Sequence, residues 1–288
     1  MSQIPLLVAE PASLPELRSQ VAQAAGACSR LRFHEGLRRH LPEIMFESRV
    51  RGAYGSAALS EGRASVDRVR QLSVPGALWP PTTDPSNRVT RAAIALTAEV
   101  DRLDSKFEDA PRQAVARLHA VAGNALAVGQ VGRTRVAGEG CSELLSALGR
   151  EPEADDARAS LFALLNEFRQ GVTSPVLLAA LVHGEVLRSR PFPCANGLLG
   201  RALERLLLRS RHVDSTRAVV PEAGHFAMGV DDYFTAAAAY ARSRDRGDMD
   251  GVVVWVQHCC HAIAHGAAEG GRVADAARAA AVTRPGRR

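Results

Sequence analysis

Apolar residues recur at three- and four-residue spacing along most of this chain, and runs of alternating β-branched residues are nearly absent. Such spacing is typical of amphipathic helices. After Asn196, for example, Leu199, Leu203 and Leu206 fall on one helical stripe. With 288 residues the chain can form one large domain or two modest ones, each with a real core. The sequence therefore predicts an all-α protein.

The helical pattern divides into segments separated by turn signals. Ser13 and Glu16 have the spacing of a capping box, which predicts a helix start there. Four prolines between Ser73 and Asn87 predict a linker. We therefore divide the chain into an N-terminal helical arm (1–85), a main body (86–250) and C-terminal helices with a basic tail (251–288). The predicted helices cover Ser13–Ala27, Leu31–Ser48, Arg88–Leu103, Pro111–Ala127, Ser142–Leu148, Asp155–Gln170, Pro175–Ser189, Gly197–Arg209, Val230–Arg244, Gly251–His265 and Val273–Val282. Glycines and β-branched residues in Val128–Gly138 predict one short hairpin.

The charge distribution does not favour a nucleic-acid partner. The net charge is +5, but the basic residues are interspersed with acids and aromatic residues make up only 5%. The charge-free stretch Gly251–Ala268 contains polar histidines, so no membrane span is expected. The N-terminus lacks the basic region of a secretory signal, and the five cysteines form no CxxC pair. Free thiols and a cytoplasmic location are the expectation.

Several common catalytic motifs are missing from the sequence. The only lysine, Lys106, lies outside any Gly-Lys-Ser/Thr sequence, which excludes a P-loop, and there is no GxGxxG, GxSxG or HExxH. His183 and Cys194 match part of the zinc-deaminase signature, but the position of its second cysteine is occupied by Gly197. The run of His258, Cys259, His261 and His265 has no evident partner ligands elsewhere in the sequence. We therefore interpret that run as a packed helix face and predict no metal site.

The most informative segment is Ser174–Arg209, which predicts a helix, a tight loop over Arg190–Gly197 and a second helix. Backbone N–H groups and the positive end of the dipole meet at the start of such a second helix. The segment therefore predicts an anion site, with phosphate as the candidate ligand. A plain helix–loop–helix corner, with Asn-Gly as turn residues, is the alternative.

This loop resembles the active-site loop of the Fic family (Fido fold), H-P-F-x-D/E-G-N-G-R-x-x-R. Pro191, Phe192, Asn196, Gly197 and Arg201 match in place. The resemblance implies an all-α Fic-type bundle with a short β-hairpin flap. It also implies protein adenylyltransfer, the transfer of AMP from ATP to a protein hydroxyl.

Further landmarks extend the resemblance over about residues 50–241. Gly132–Gly138, with Arg133 and Thr134, is similar to the flap that pairs with a target protein. Val230–Ala237 is similar to the Tyr-containing helix that follows the loop. Ser56–Gly62 resembles the inhibitory helix, although Ser56 lies five residues before Glu61 where the motif requires four. In the family this glutamate pairs with the last arginine of the loop, which predicts a Glu61–Arg201 ion pair.

The loop departs from the family at its chemical positions. Arg190 replaces the histidine base, and a guanidinium cannot accept a proton. Cys194 replaces the acid that holds Mg²⁺, and a thiol is a poor ligand for that ion. Ala195 and Leu198 replace a glycine of the anion cradle and an arginine clamp. Asn196, Gly197, Arg201 and Arg190 remain as candidate nucleotide or phosphate ligands, with ATP or another nucleotide as the candidate cofactor and Mg²⁺ not expected.

Three functional hypotheses follow from this pattern. The first is a regulatory protein that binds a nucleotide or phosphate and does not transfer AMP. The second is a working transferase with altered chemistry, for which His183 is the only nearby substitute base. The third is a nucleophilic Cys194, because a helix N-terminus lowers the pKa of a thiol.

Overall fold

The computed structural model describes residues 4–103, 106–129, 131–143, 146–171 and 173–283. Twelve α-helices and one short 3-10 turn, Ser146–Leu148, make up its regular structure, and no strand forms among these residues. The helices are α1 (Ile4–Ser13), α2 (Pro15–Arg32), α3 (Glu35–Ala58), α4 (Val66–Ser73), α5 (Pro85–Leu103), α6 (Pro111–Leu126), α7 (Ala154–Gln170), α8 (Pro175–Ser189), α9 (Asn196–Ser210), α10 (Pro221–Met228), α11 (Val230–Arg246) and α12 (Asp250–Thr283). The predicted all-α class is confirmed.

Helix α9 lies at the centre of the fold. Every one of its residues is buried, although three of them are arginines. Two of these charges are compensated by ion pairs, since Arg205 donates to Glu222 at 2.8 Å and Arg209 pairs with Asp101. Arg201 instead donates to hydroxyl and carbonyl oxygens. Helix α8 packs beside α9, and α3, α5, α6 and α10 pack around them.

The long C-terminal helix α12 joins several parts of the bundle. It packs against α2, α3, α8, α10 and α11. At its crossing with α10 a Cβ built on Gly224 would lie 1.9 Å from the carbonyl oxygen of Ala262, so only glycine permits this approach. The division of the chain at residues 85 and 250 stays a prediction.

Four local predictions were wrong. No capping box forms, because the Ser13 hydroxyl donates to the carbonyl of Glu10 and ends α1 instead. The two predicted C-terminal helices are one continuous helix, α12. Where a helix was predicted over Ser142–Leu148, the described residues form a bend and a 3-10 turn. The hairpin predicted over Val128–Gly138 is an irregular loop in its described residues, and the predicted basic tail at 284–288 lies outside them.

Each of the five cysteines is a free thiol, as the spacing predicted. Among the described residues, no helix combines the length and the apolar character that crossing a bilayer requires.

Candidate functional site

The loop between α8 and α9 is held by the side chain of Asn196. Its amide oxygen accepts from the backbone N–H of Phe192 at 3.0 Å, and its amide nitrogen donates to the Phe192 carbonyl at 2.9 Å. Ala195, which precedes the helix, adopts the left-handed φ of 62° that glycine takes without strain. The matched Asn therefore keeps the loop closed, and the Ala does not prevent the glycine-like turn.

At the start of α9, where an anion site was predicted, a carboxylate of the chain itself accepts hydrogen bonds from the backbone N–H groups. Glu143 accepts from the backbone N–H of Asn196 at 2.7 Å and from that of Gly197 at 3.2 Å. The amide nitrogen of the Asn196 side chain donates to the same carboxylate at 2.8 Å. A carboxylate is stabilised here by donated hydrogen bonds and by the helix dipole. Sequence reasoning missed Glu143, which follows an irregular loop and is half-buried.

The segment 131–143 brings Glu143 to the site by running along the loop. The N–H of Arg135 donates to the carbonyl of Pro191 at 2.8 Å, and the N–H of Ser142 donates to that of Pro193 at 2.8 Å. The Arg135 guanidinium is buried and donates to the carbonyls of Ser189 and Arg190 at the end of α8. A cation at this position satisfies carbonyls that have no partner within the helix.

The two flap residues predicted from the resemblance lie within this segment. Arg133 forms a bidentate ion pair with Glu139, at 2.6 and 2.8 Å, and also donates to the carbonyl of Thr134. Both residues are half-exposed, whereas Val136 is 55% exposed. Arg133 therefore stabilises the conformation of the segment through contacts inside it. Val136 is an apolar side chain exposed to solvent.

Arg190 faces away from solvent at the position of the family's base. Its side chain is 2% exposed, and its guanidinium donates to the carbonyl of Gly149 at 2.7 Å and to Glu151 at 3.2 Å. The residue ends α8 with a left-handed φ of 43°. The positive charge predicted at the mouth of the anion site is thus paired with the segment around Glu151.

Cys194 does not have the chemistry of a nucleophile or of a magnesium ligand. Its Sγ lies 3.7 Å from Nε2 of His119, whose ring stacks on Phe192. Burial, together with the negative charge of Glu143, raises the pKa of the Cys194 thiol to about 11. Burial lowers the pKa of His119 to about 4, so no thiolate–imidazolium pair forms at neutral pH. The proposed lowering of the thiol pKa by the helix N-terminus was wrong, and a buried neutral thiol does not fit Mg²⁺.

Arg201 is buried and bound by hydroxyl groups. Its guanidinium donates to the hydroxyl and the carbonyl of Ser56 at 3.0 Å each and to the hydroxyl of Ser60 at 2.5 Å. It also donates to the hydroxyl of Tyr233 at 3.0 Å. The predicted Glu61–Arg201 ion pair is not among the ion pairs of the described residues, and Glu61 is exposed. The Ser56–Gly62 segment does lie against Arg201, but Ser60, four residues after Ser56, contacts the guanidinium with its hydroxyl where a glutamate was expected.

His183, the candidate substitute base, is fully buried. Its Nε2 lies 2.8 Å from the hydroxyl of Tyr233, and its Nδ1 faces Glu204. Burial lowers the pKa of His183 to about 4, so the ring is neutral and weakly basic. It has no access to a target hydroxyl in this structure, which removes the residue on which the altered-transferase hypothesis depended.

Comparison with solved structures identifies the fold. The chain is similar to a Fic family protein from Desulfovibrio desulfuricans, with 18% identity, a TM-score of 0.64 and coverage of 92% of this chain and 74% of that one. A Fic domain-containing signalling protein from Bacteroides thetaiotaomicron is 14% identical, with a TM-score of 0.61 and coverage of 89% and 98%. Fic-1 from C. elegans is 17% identical, with a TM-score of 0.58 and coverage of 92% of this chain and 73% of that one. No family model and no curated protein matches the sequence. The chain therefore has the Fic fold, as the loop residues predicted.

Proposed function

We propose that this Fic-fold chain is a phosphate-binding regulatory protein that does not transfer AMP, and that Glu143 acts as an internal competitor for its anion site. The observation that carries the proposal is the Glu143 carboxylate on the N–H groups of Asn196 and Gly197. Those N–H groups are the donors that a phosphate would use at a helix N-terminus.

The side chains around the site favour phosphate binding over AMP transfer. A transferase needs a base near the target hydroxyl, and Arg190 cannot act as one. Cys194 cannot replace a hard oxygen ligand for Mg²⁺, because its thiol stays protonated. Arg201 is held by Ser56, Ser60 and Tyr233 in place of a nucleotide. The loss of a base alone costs about 10²–10⁴ in rate.

The way in which Glu143 is held supports competition by a ligand. The residue is half-buried, so its carboxylate can be transferred to water at a modest cost. A phosphate group carries more negative charge and offers more acceptor oxygens to the same donors. We propose ATP or another nucleotide as the phosphate-bearing ligand. A target protein would contact the exposed segment around Val136.

Isothermal titration of the full chain tests this proposal. Inorganic phosphate and ATP, each with and without Mg²⁺, are titrated into the wild-type protein and into Glu143→Ala. We expect the variant to bind phosphate at least tenfold more tightly than the wild type, with no requirement for Mg²⁺. Glu153→Ala is the matched control, because Glu153 lies at the N-terminus of α7 and its side chain makes no capping hydrogen bond.

The same proteins are incubated with labelled ATP and Mg²⁺. We expect no AMP on the chain or on added protein. Equal phosphate affinity in Glu143→Ala and the wild type would contradict the competitor role of Glu143. AMP labelling of the chain or of added protein would establish the altered transferase instead.

A further inference from the structure

Four potential metal ligands from four different helices meet in the core. They are His183 of α8, Glu204 of α9, His225 of α10 and Cys259 of α12, and all are fully buried. One ligand atom of each lies within 4.8 Å of the others. Glu204 Oε2 lies 2.8 Å from Nε2 of His225 and 3.2 Å from Nδ1 of His183. The four side chains therefore converge on one point.

Two inward-facing atoms of this cluster have no hydrogen-bond partner among the described residues. They are Oε1 of Glu204 and Nδ1 of His183, whose 3.2 Å approach to Glu204 lacks hydrogen-bond geometry. Buried polar atoms in a folded core normally have a partner, since an unpaired one costs about 1–3 kcal/mol. Two unpaired atoms that share one centre point to a ligand between them.

The outward-facing nitrogens of both histidines are bound, as they are in metal sites. Nε2 of His183 lies 2.8 Å from the hydroxyl of Tyr233, and Nδ1 of His225 lies 3.1 Å from Nε2 of His258. Metal-binding histidines nearly always use the second nitrogen in this way, because the hydrogen bond fixes the ring and its tautomer. In each ring the other nitrogen faces the centre of the cluster, where that of His225 meets Glu204 and that of His183 has no hydrogen bond.

Packing around the cluster is also specific. A Cβ built on Gly200 would lie 2.8 Å from Cδ2 of His183, so this glycine on α9 makes room for the ring. Gly224, next to His225, permits the close approach of α10 to the helix that carries Cys259. Small residues thus bring three of the four ligands together.

We propose that His183, Glu204, His225 and Cys259 form a structural Zn²⁺ site. Two imidazoles, one thiolate and one carboxylate are a four-coordinate set of the kind that zinc accepts in closed sites. One Zn–S bond forms as the S–H bond of Cys259 breaks, and the proton leaves to solvent. The thiolate and the carboxylate together balance the charge of the ion. Since each ligand comes from a different helix, the ion links α8, α9, α10 and α12, and its binding contributes to folding.

Metal analysis of the purified full-length chain, with no affinity tag, tests the proposal. We expect about one zinc per chain after expression in zinc-supplemented medium, and loss of that zinc in Cys259→Ala. Cys260→Ala is the matched control, because Cys260 is a buried neighbour on the same helix outside the cluster, and it should retain the metal. Zinc retained equally by both variants would overturn the ligand assignment.

A second measurement uses the wild-type chain alone, in case Cys259→Ala does not fold. Chelator-treated protein is refolded with Co²⁺ in place of zinc. A thiolate-to-cobalt charge-transfer band with tetrahedral visible bands is expected, and prior addition of Zn²⁺ should prevent both. A chain that folds with neither zinc nor a cobalt–thiolate band would show that the cluster is only a hydrogen-bond network. Neither measurement depends on phosphate binding at Glu143.

Discussion

Replacement of Glu143 by alanine tests whether its carboxylate stabilises the start of α9. The carboxylate accepts three N–H hydrogen bonds, from the backbone of Asn196 and Gly197 and from the Asn196 side chain. A buried hydrogen bond to a charged group contributes about 1.5–3 kcal/mol, and a charge at a helix N-terminus about 0.3–2 kcal/mol. In the variant, water can reach the half-buried site and replace some of the hydrogen bonds that the carboxylate made. We therefore expect a loss of about 2 kcal/mol in the free energy of unfolding.

Urea unfolding, followed by circular dichroism, measures this loss. Glu153→Ala should differ from the wild type by less than about 0.5 kcal/mol, because Glu153 is exposed and makes no capping hydrogen bond. Added phosphate supplies a second readout. At ten times its Kd, phosphate should return about 1.4 kcal/mol to Glu143→Ala. A stability of Glu143→Ala within about 0.5 kcal/mol of the wild type, unchanged by phosphate, would refute the reasoning.

Three further changes probe neighbouring parts of the site. With its pKa raised to about 11, Cys194 should be alkylated about tenfold faster for each pH unit between 7 and 9, as measured by mass spectrometry. Ala195→Gly should change the free energy of unfolding by less than about 0.5 kcal/mol, because glycine relieves the strain of the φ of 62° and this offsets the lost methyl group. Ala202→Gly, inside α9, should lower the free energy of unfolding by about 1 kcal/mol or more. Glu61→Gly should gain about 1 kcal/mol in urea unfolding because Glu61 has a φ of 65°, and it should not create AMP transfer.

A different result at Cys194, Ala195 or Glu61 would contradict the corresponding prediction. A rate of Cys194 alkylation that levels off below pH 9 would mean that the thiol is activated. Equal costs at Ala195 and Ala202 would mean that the loop carries no strain at its left-handed residue. AMP transfer by Glu61→Gly would restore the autoinhibitory role that the resemblance predicted for Glu61.

Local sequence was sufficient for the class of fold and for the turn that begins α9. The Asn196–Gly197 turn and the helix after it depend on residues close together in sequence, and the Fic resemblance of the loop rests on the same residues. The partner in that site could not be predicted. Glu143 is 53 residues from Asn196 and reaches it through an irregular segment that has no periodicity.

The register of the Ser56–Gly62 segment and the composition of the buried cluster also could not be predicted from local sequence. Ser60 and Glu61 are adjacent in sequence, so either could face Arg201. The position at which α3 ends, Ala58, places Ser60 against Arg201. His258 and Cys259 were interpreted as packing residues because no partner ligands were evident elsewhere in the sequence. In the fold Cys259 lies close to His183, Glu204 and His225, which belong to α8, α9 and α10, and His258 contacts His225. Contacts between remote helices depend on tertiary packing, which helical spacing does not encode.

The pairing of Glu143 with the N–H groups at the start of α9 is the central feature of the proposed site. The amide proton shifts of Asn196 and Gly197 in the nuclear magnetic resonance spectrum report that pairing directly. In the wild type we expect both protons downfield, with a response to phosphate only at concentrations at least tenfold higher than in Glu143→Ala. In Glu143→Ala both should move upfield and then return downfield as phosphate is added. Identical shifts in the two proteins, with no response to phosphate in either, would contradict the account.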